Sequence, residues 1–382
     1  MQPLQPRYRI QSIDLLRGLV MIIMALDHTR DYFHWSAQQY DPLDLSHTST
    51  PIFFTRWITH FCSPVFMFLA GTSAFLIGQR KSKKQLSFFL FTRGLWLMFL
   101  DITVIRFGWS FNIHFPVIGL AFLWTLGVGM IALSALVHFP KRAIFVIGIL
   151  IVVGHNLLDN FHVPGNGLKA FIWDELHDPR PFNFYGHIIF TGYPVLSGIG
   201  IIVLGYCFGV LYKKKFNAIK RKKWLLLIGT TAIILFIALR AINIYGDPQP
   251  WSYQNSRVFT FLSFMNVTKY PPSLLFTLII LGPALIFLAF AEKPLNKIIQ
   301  FISIYGRVPM FYYIIHIYLI HALAMLAAQL SGFGWRPQKG YGFSLIVVYL
   351  VWIAVMLALY PLCKWYDKYK TTHKEKWWLS YL

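Results

Sequence analysis

The sequence predicts an all-α, polytopic membrane protein with about ten transmembrane helices and both termini in the cytoplasm. Three observations carry this. Of the 382 residues, 57% are hydrophobic and only 13% charged, about half the charged share of an average soluble domain. Apolar stretches long enough to cross a hydrocarbon core of about 30 Å recur along the chain. The basic residues, 35 against 14 acidic ones, fall in short runs between those stretches, as they do in cytoplasmic loops.

Ten segments read as spans: about 13–33, 57–78, 86–106, 117–137, 143–158, 187–211, 224–244, 273–291, 301–328 and 342–363. The fifth is short and the ninth long for a layer that takes about 20 residues. The whole chain, 1–382, reads as one integral membrane domain. Orientation follows from the loops. With the N-terminus inside, the inner loops hold 22 of the 35 basic residues, from Arg7 and Arg9 through Lys293 to Lys374 and Lys376. The opposite loops hold 8, among them Arg336 and Lys339. The long loops 34–56, 159–186 and 245–272, rich in Pro, Gly, Asn, Trp and Tyr, then face outward, and loops are where recognition concentrates.

A net charge of +21 in a soluble chain would point to nucleic acid. Here the runs Arg80 to Lys84, Lys141-Arg142, Lys213 to Lys215 and Lys220 to Lys223 border spans, so they read as topology signals and no nucleic-acid partner is expected. Cys62, Cys207 and Cys363 lie in apolar stretches without metal or redox spacing and read as packing residues. No cleavable leader is expected, because the first apolar run carries Asp14 and Arg17.

Ionisable residues inside a span are costly and mark function by default. The first span holds Asp14, Arg17, Asp27, His28, Arg30 and Asp31. Asp14 and Arg17 stand at i, i+3 and can pair on one helix face near the inner end. His28 and Asp31 repeat the spacing near the outer end, where the carboxylate can orient the imidazole and stabilise its cation. Asp27 is the alternative partner, although adjacent residues point to different sides of a helix. Arg17 and His28 stand eleven positions apart, a rise of about 16 Å. A cation inside and a proton acceptor outside suit a reaction that joins a cytoplasmic anionic donor to an outward acceptor.

The opening Ser12-Ile13-Asp14-Leu15-Leu16-Arg17-Gly18, followed by Leu26-Asp27-His28-Thr29-Arg30-Asp31-Tyr32-Phe33, resembles the start of the heparan-α-glucosaminide N-acetyltransferase-type catalytic domain of the transmembrane acyltransferase superfamily. The superfamily's arginine or lysine, ten residues, then histidine is matched by Arg17 and His28. Gly306-Arg307-Val308-Pro309-Met310-Phe311-Tyr312-Tyr313-Ile314-Ile315-His316 also resembles bacterial members. The family-like part is taken as about 10–240, with further helices over 241–370 and a cytoplasmic tail at 371–382. The lysosomal enzyme aligns asparagine with His28 and has its catalytic histidine in the first outward loop, where this chain offers His34 or His47. Of the arginine pair in the third helix of sugar O-acyltransferases, Arg93 is present, flanked three residues away by Leu90 and Trp96.

The resemblance implies transfer of an acyl group, usually acetyl, from cytosolic acyl-CoA to an amino or hydroxyl group of a sugar or glycan beyond the membrane, in a bacterial inner membrane. His28 is then the catalytic base or acyl carrier, assisted by Asp31 or Asp27. Arg17, Arg93, Lys83 and Lys84 are the candidates for the phosphates of CoA. Arg30, His34 and His316 are the candidates for the acceptor, while His60 and His114 read as packing residues. The competing class is a proton-coupled transporter using Asp27, His28 and Asp31 as a relay. The absence of matched halves weighs against it. His155, Asp159 and His162 fall at i, i+4 and i+7, but a helix break near Pro164 makes the spacing read as coincidence, and no metal is expected.

Overall fold

A computed structural model describes residues 10–184, 186–292, 296–335, 340–373 and 375–380. Arg7, Arg9, Lys293, Arg336, Lys339 and Lys374 of the charge count lie outside the described residues, as do 381–382 of the expected tail.

The first helix, α1, runs Gln11–Phe33. Next, α2 (Thr50–Ile58) and α3 (Cys62–Gly78) are joined by a 3₁₀ turn into one 29-residue segment. Ser82 and Gln85 form a capping box that starts α4 (Lys83–Leu100), satisfying backbone N–H groups at the helix start. A π-helical turn at Asp101–Ile105 carries α4 into α5 (Arg106–Ser110). After a short strand come α6 (Phe122–Leu136), α7 (Lys141–Gly154) and the loop helix α8 (Leu168–Leu176). The chain continues through α9 (Val195–Phe208), α10 (Ala218–Ile242), the loop helix α11 (Arg257–Met265) and α12 (Leu274–Phe290). It finishes with α13 (Lys297–Arg307), α14 (Pro309–Leu330) and α15 (Leu345–Thr372).

The mostly helical expectation holds. Among the described residues seven helical segments are long and apolar enough to cross a membrane, where about ten were expected. The apolar α6 and α12 have only 15 and 17 residues. With 23 residues α1 is long enough, but Asp14, Arg17, Asp27, Arg30 and Asp31 interrupt its apolarity.

Two corrections concern segment ends. The starts of the fourth and sixth expected spans are strands: β1 (Val117–Leu120), β2 (Pro181–Phe184) and β3 (His187–Thr191) form a sheet in the order β1-β3-β2. The fold is therefore not purely α-helical. Here β1 runs parallel to β3, with Val117 opposite Ile188, and β2 runs antiparallel. Short β-branched runs beside Pro and Gly read equally as helix ends or strands, and only pairing decides. The ninth expected span is two helices, broken at Val308, whose extended φ of −127° precedes Pro309. Proline disfavours helical backbone in the residue before it and suits the first turn of the next helix.

Packing puts the charged first helix in the middle. α1 lies against α3, α13, α14 and α15. At Gly18 an added Cβ would stand 2.0 Å from the Ile302 carbonyl oxygen, and at Gly306 1.9 Å from that of Asp14. The backbones of α1 and α13 thus touch, as membrane helices do at small residues. α3 and α9 meet in the same way at Gly71 and Gly205. By contrast α10 and α15 bury only 22% and 17% of their apolar windows and leave the rest at the protein surface.

Candidate active site

His28 sits near the last turns of α1, with 8% of its surface exposed. Its Nδ1 lies 2.8 Å from Nε2 of His316, which is fully buried on α14. The two imidazoles are parallel within 4°, at 5.0 Å between ring centres. On the far side, His316 Nδ1 lies 2.6 Å from the Tyr312 carbonyl oxygen. A carbonyl only accepts, so in the neutral ring His316 Nδ1 carries the proton and Nε2 is the acceptor. His28 therefore donates Nδ1–H to His316, and its own Nε2 is left with the free lone pair. Among the described residues no hydrogen bond reaches that nitrogen.

Aromatic rings surround His28. Trp109 stands edge-on to His28 at 4.8 Å, and Tyr313 lies at 6.0 Å. Tyr32 stacks on Trp109 and donates its hydroxyl to the Trp109 carbonyl at 2.8 Å. The π-turn precedes α5, which carries Trp109; such turns recur at functional sites.

Asp31 does not hold His28. Its carboxylate pairs with the adjacent Arg30 at 2.5 Å and its side chain is 40% exposed. The i, i+3 spacing allows the His28–Asp31 pair, but α14 offers the imidazole a better-aligned buried partner. Asp27 is engaged as well, 3.0 Å from Arg30 Nη2 and 2.5 Å from Arg56 Nη1. Arg56 reaches on to the Tyr270 hydroxyl at 3.4 Å, and the buried Lys269 ammonium lies 5.2 Å from the Tyr270 ring centre. Arg30 itself is 2% exposed, and its Nε and Nη1 are buried without a partner among the described residues. The C-terminal end of α1 therefore holds, among the described residues, an imidazole nitrogen and two guanidinium nitrogens without hydrogen-bond partners within one helical turn.

His34 follows α1 and is buried beside it. Its Nδ1 accepts the Ser36 amide N–H at 3.3 Å and contacts the Ser36 hydroxyl at 2.7 Å. Burial, then the neighbouring Arg30 charge, push its imidazole down to about 4. The backbone of 34–35 is pinned against Phe343. Gly342 makes this possible: its φ is +137°, and a Cβ there would lie 2.3 Å from Trp35 Cα. His47 is exposed and pairs with Asp44 at 2.8 Å in its own loop. His114 is exposed, whereas His60 is buried against Phe276.

At the other end of α1, Arg17 pairs with Asp14 at 3.5 Å as its spacing predicts. It also donates to the Gly306 carbonyl at 3.2 Å and to Ser73 Oγ at 3.1 Å, tying α1 to α13 and α3. Lys83 donates to the His138 carbonyl at 3.1 Å, and the exposed Lys84 stands beside it. Arg93 is half-buried over the Phe89 ring at 6.0 Å. Asp101 Oδ2 accepts the Ala121 N–H at 2.7 Å at the start of α6. An open cavity of 490 Å³ lies instead between α3, α7 and α9, lined by Phe75, Lys141, Arg142 and Tyr206 among others. The ammonium groups of Lys141 and Lys213 lie 5.3 and 5.7 Å from the Phe75 ring centre.

Sequence reasoning missed Trp109, Tyr313, Arg56, Lys269 and this cavity, since each is assembled from distant segments. The pattern at His155 is also revised: His162 bonds Asp178 at 2.8 Å, and the residue that joins His155 and Asp159 is His177.

No curated protein matches the chain. The family model of the heparan-alpha-glucosaminide N-acetyltransferase catalytic domain matches residues 9–250, more than half of the chain. Arg17, His28 and the Asp27–Arg30–Arg56 cluster lie inside that match, with His316 contributed from beyond it. The chain belongs to the heparan-alpha-glucosaminide N-acetyltransferase catalytic-domain family of membrane acetyltransferases.

Proposed function

We propose that this protein transfers an acetyl group from cytosolic acetyl-CoA to an amino or hydroxyl group of a sugar or glycan on the opposite face of the membrane. The observation that carries the reading is the histidine relay. It leaves His28 Nε2 as an unpaired base at the loop-bearing end of α1. In this reading His28 Nε2 takes the proton of the acceptor as it attacks the thioester carbonyl, the C–S bond breaks, and the departing CoA thiolate takes that proton from the His28 imidazolium, while His316 holds the ring in the required tautomer. General-base assistance of this kind contributes about 10²–10⁴-fold. Arg30, with two unpaired buried donors, is suited to an acceptor hydroxyl or a developing oxyanion. His34 and the outward loops complete the acceptor side, while Asp27 and Asp31 hold Arg30 in place instead of acting on His28.

The donor enters from the opposite end. Arg17, Arg93, Lys83 and Lys84 are assigned to the phosphates of the CoA moiety, and Lys141 and Arg142 at the 490 Å³ cavity join them. The basic-loop bias orients α1 with Arg17 toward the cytoplasm and His28 away from it. The bilayer this protein occupies would then be a bacterial inner membrane.

The test uses the purified protein in detergent or nanodiscs with radiolabelled acetyl-CoA and a panel of amino sugars and glycans. Labelled acceptor formed by the wild type and lost in a folded His28→Ala variant supports the assignment. A folded His28→Ala variant with wild-type turnover overturns it. A hydrolytically labile acetyl group trapped on His28 in the absence of acceptor would replace general-base transfer by a covalent route.

A further inference from the structure

We infer that His155, Asp159 and His177 form a binding site for a divalent cation of the zinc class, separate from the His28 pocket. His155 opens the 3₁₀ turn that follows α7, Asp159 ends that turn, and His177 caps α8. One ligand atom from each residue lies within 4.8 Å of the other two. Ligands around tetrahedral zinc stand about 3.4 Å apart, given bonds of about 2.0–2.2 Å. Small side-chain rotations therefore close the site.

Two imidazoles and a carboxylate could also form an ordinary hydrogen-bonded cluster, but their bonding argues against it. His155 and His177 are 2% and 3% exposed. Both ring nitrogens of His155, and Nδ1 of His177, are buried without a hydrogen-bond partner among the described residues. The only direct bond inside the cluster is His177 Nε2 to Asp159 Oδ1 at 3.0 Å. Buried polar atoms are rarely left in this state, and a bound cation would take a lone pair from each ring.

The surroundings match what a metal ligand set needs behind it. Asn156 Nδ2 donates to Asp159 Oδ2 at 2.8 Å, fixing the carboxylate. Asn156 Oδ1 in turn accepts the Leu274 N–H at 2.9 Å, at the start of α12. The Pro272 carbonyl neighbours the His155 ring outside good hydrogen-bond geometry, placed to take the N–H that a metal-bound imidazole presents. Two neutral histidines and one carboxylate suit zinc, with a fourth position for water. The ion would join the ends of α7 and α8 to the start of α12 and to the 269–272 turn that carries Lys269 and Tyr270.

The test uses the full chain in detergent, stripped with a chelator, equilibrated with Zn²⁺ and gel-filtered, with bound metal read by mass spectrometry. One zinc per chain is expected for the wild type and for His162→Ala, a neighbour outside the set. Asp159→Asn and His177→Gln should bind at least tenfold more weakly. Co²⁺ loaded in place of zinc should give the intense visible bands of a tetrahedral centre in the wild type, which decides the matter if the variants fail to fold. A wild type that retains no zinc and gives no such bands overturns the site. Equal retention by folded Asp159→Asn and His177→Gln overturns it too.

Discussion

His28 Nδ1 and His316 Nε2 face each other at 2.8 Å, from positions 288 residues apart in the chain. The bond sets the tautomer of one imidazole through another, and the Tyr312 carbonyl anchors the far end. On the proposed function His316 is accordingly a positioning residue. His316→Leu should lower turnover and shift the apparent pKa of the pH–rate profile, because His28 loses its acceptor. His316→Gln, whose carbonyl can still accept, should recover part of the rate. Equal loss in both variants with an unmoved profile would reduce His316 to packing.

Asp27 and Asp31 flank the same guanidinium but differ in burial. Asp27 bridges Arg30 and Arg56, with its side chain only 12% exposed. Asp27→Asn leaves Arg56 without its carboxylate partner and Arg30 with only the more exposed Asp31, and should cost about 3–5 kcal/mol. Asp31, 40% exposed, should cost about 0–1 kcal/mol when changed to Asn. Thermal melting of the two variants in one detergent checks the ordering, and a more damaging Asp31→Asn would contradict it.

The α1–α13 contact makes a packing prediction. At Gly306 an added Cβ would lie 1.9 Å from the Asp14 carbonyl oxygen and 2.6 Å from the Gly18 nitrogen. Gly306→Ala must push the helices apart and disturb the Arg17 bond to the Gly306 carbonyl. A loss of about 1–3 kcal/mol or more is expected. Gly154→Ala, where a Cβ meets nothing within 4 Å, should change stability by less than about 1 kcal/mol.

His34 supplies a pH dependence. Its imidazole is held down to about 4 by burial and by Arg30, against about 6.5 when exposed. Between these values the opened loop binds a proton that the closed loop does not. Closure therefore weakens as pH falls from about 6.5 to 4 and levels off below. Protonation also removes the acceptor for the Ser36 N–H. Hydrogen exchange over residues 34–40, corrected for intrinsic rates, should show this slope in the wild type and lose it in His34→Asn.

Donor binding separates two sets of cations. If the cavity beside Phe75 receives CoA, the double variant Lys141→Ala/Arg142→Ala should raise KM for acetyl-CoA about tenfold with kcat preserved, the signature of lost uniform binding. Lys83→Ala/Lys84→Ala should have the smaller effect, since Lys83 is already bonded to the His138 carbonyl. The opposite ranking would move the donor site to the start of α4.

Much of the membrane architecture was legible in the chain itself. Hydropathy located every major helical segment, because a bilayer demands apolar length wherever the backbone crosses it. The Asp14–Arg17 pair followed from i, i+3 geometry, a local property of any helix. Arg17, His28 and the 306–316 stretch pointed to the family. Local rules failed where partners come from far away. Spacing on α1 nominated Asp31 for His28, yet α14 supplies His316 and α5 supplies Trp109. The strands at 117–120 and 187–191 exist because they pair with one another, and His177 replaces His162 because the end of α8 meets the 3₁₀ turn that follows α7. Short-range geometry limits which groups a residue can meet within its own helix. Which nitrogen stays free for chemistry depends on long-range packing, where buried polar atoms must find partners that no local pattern encodes.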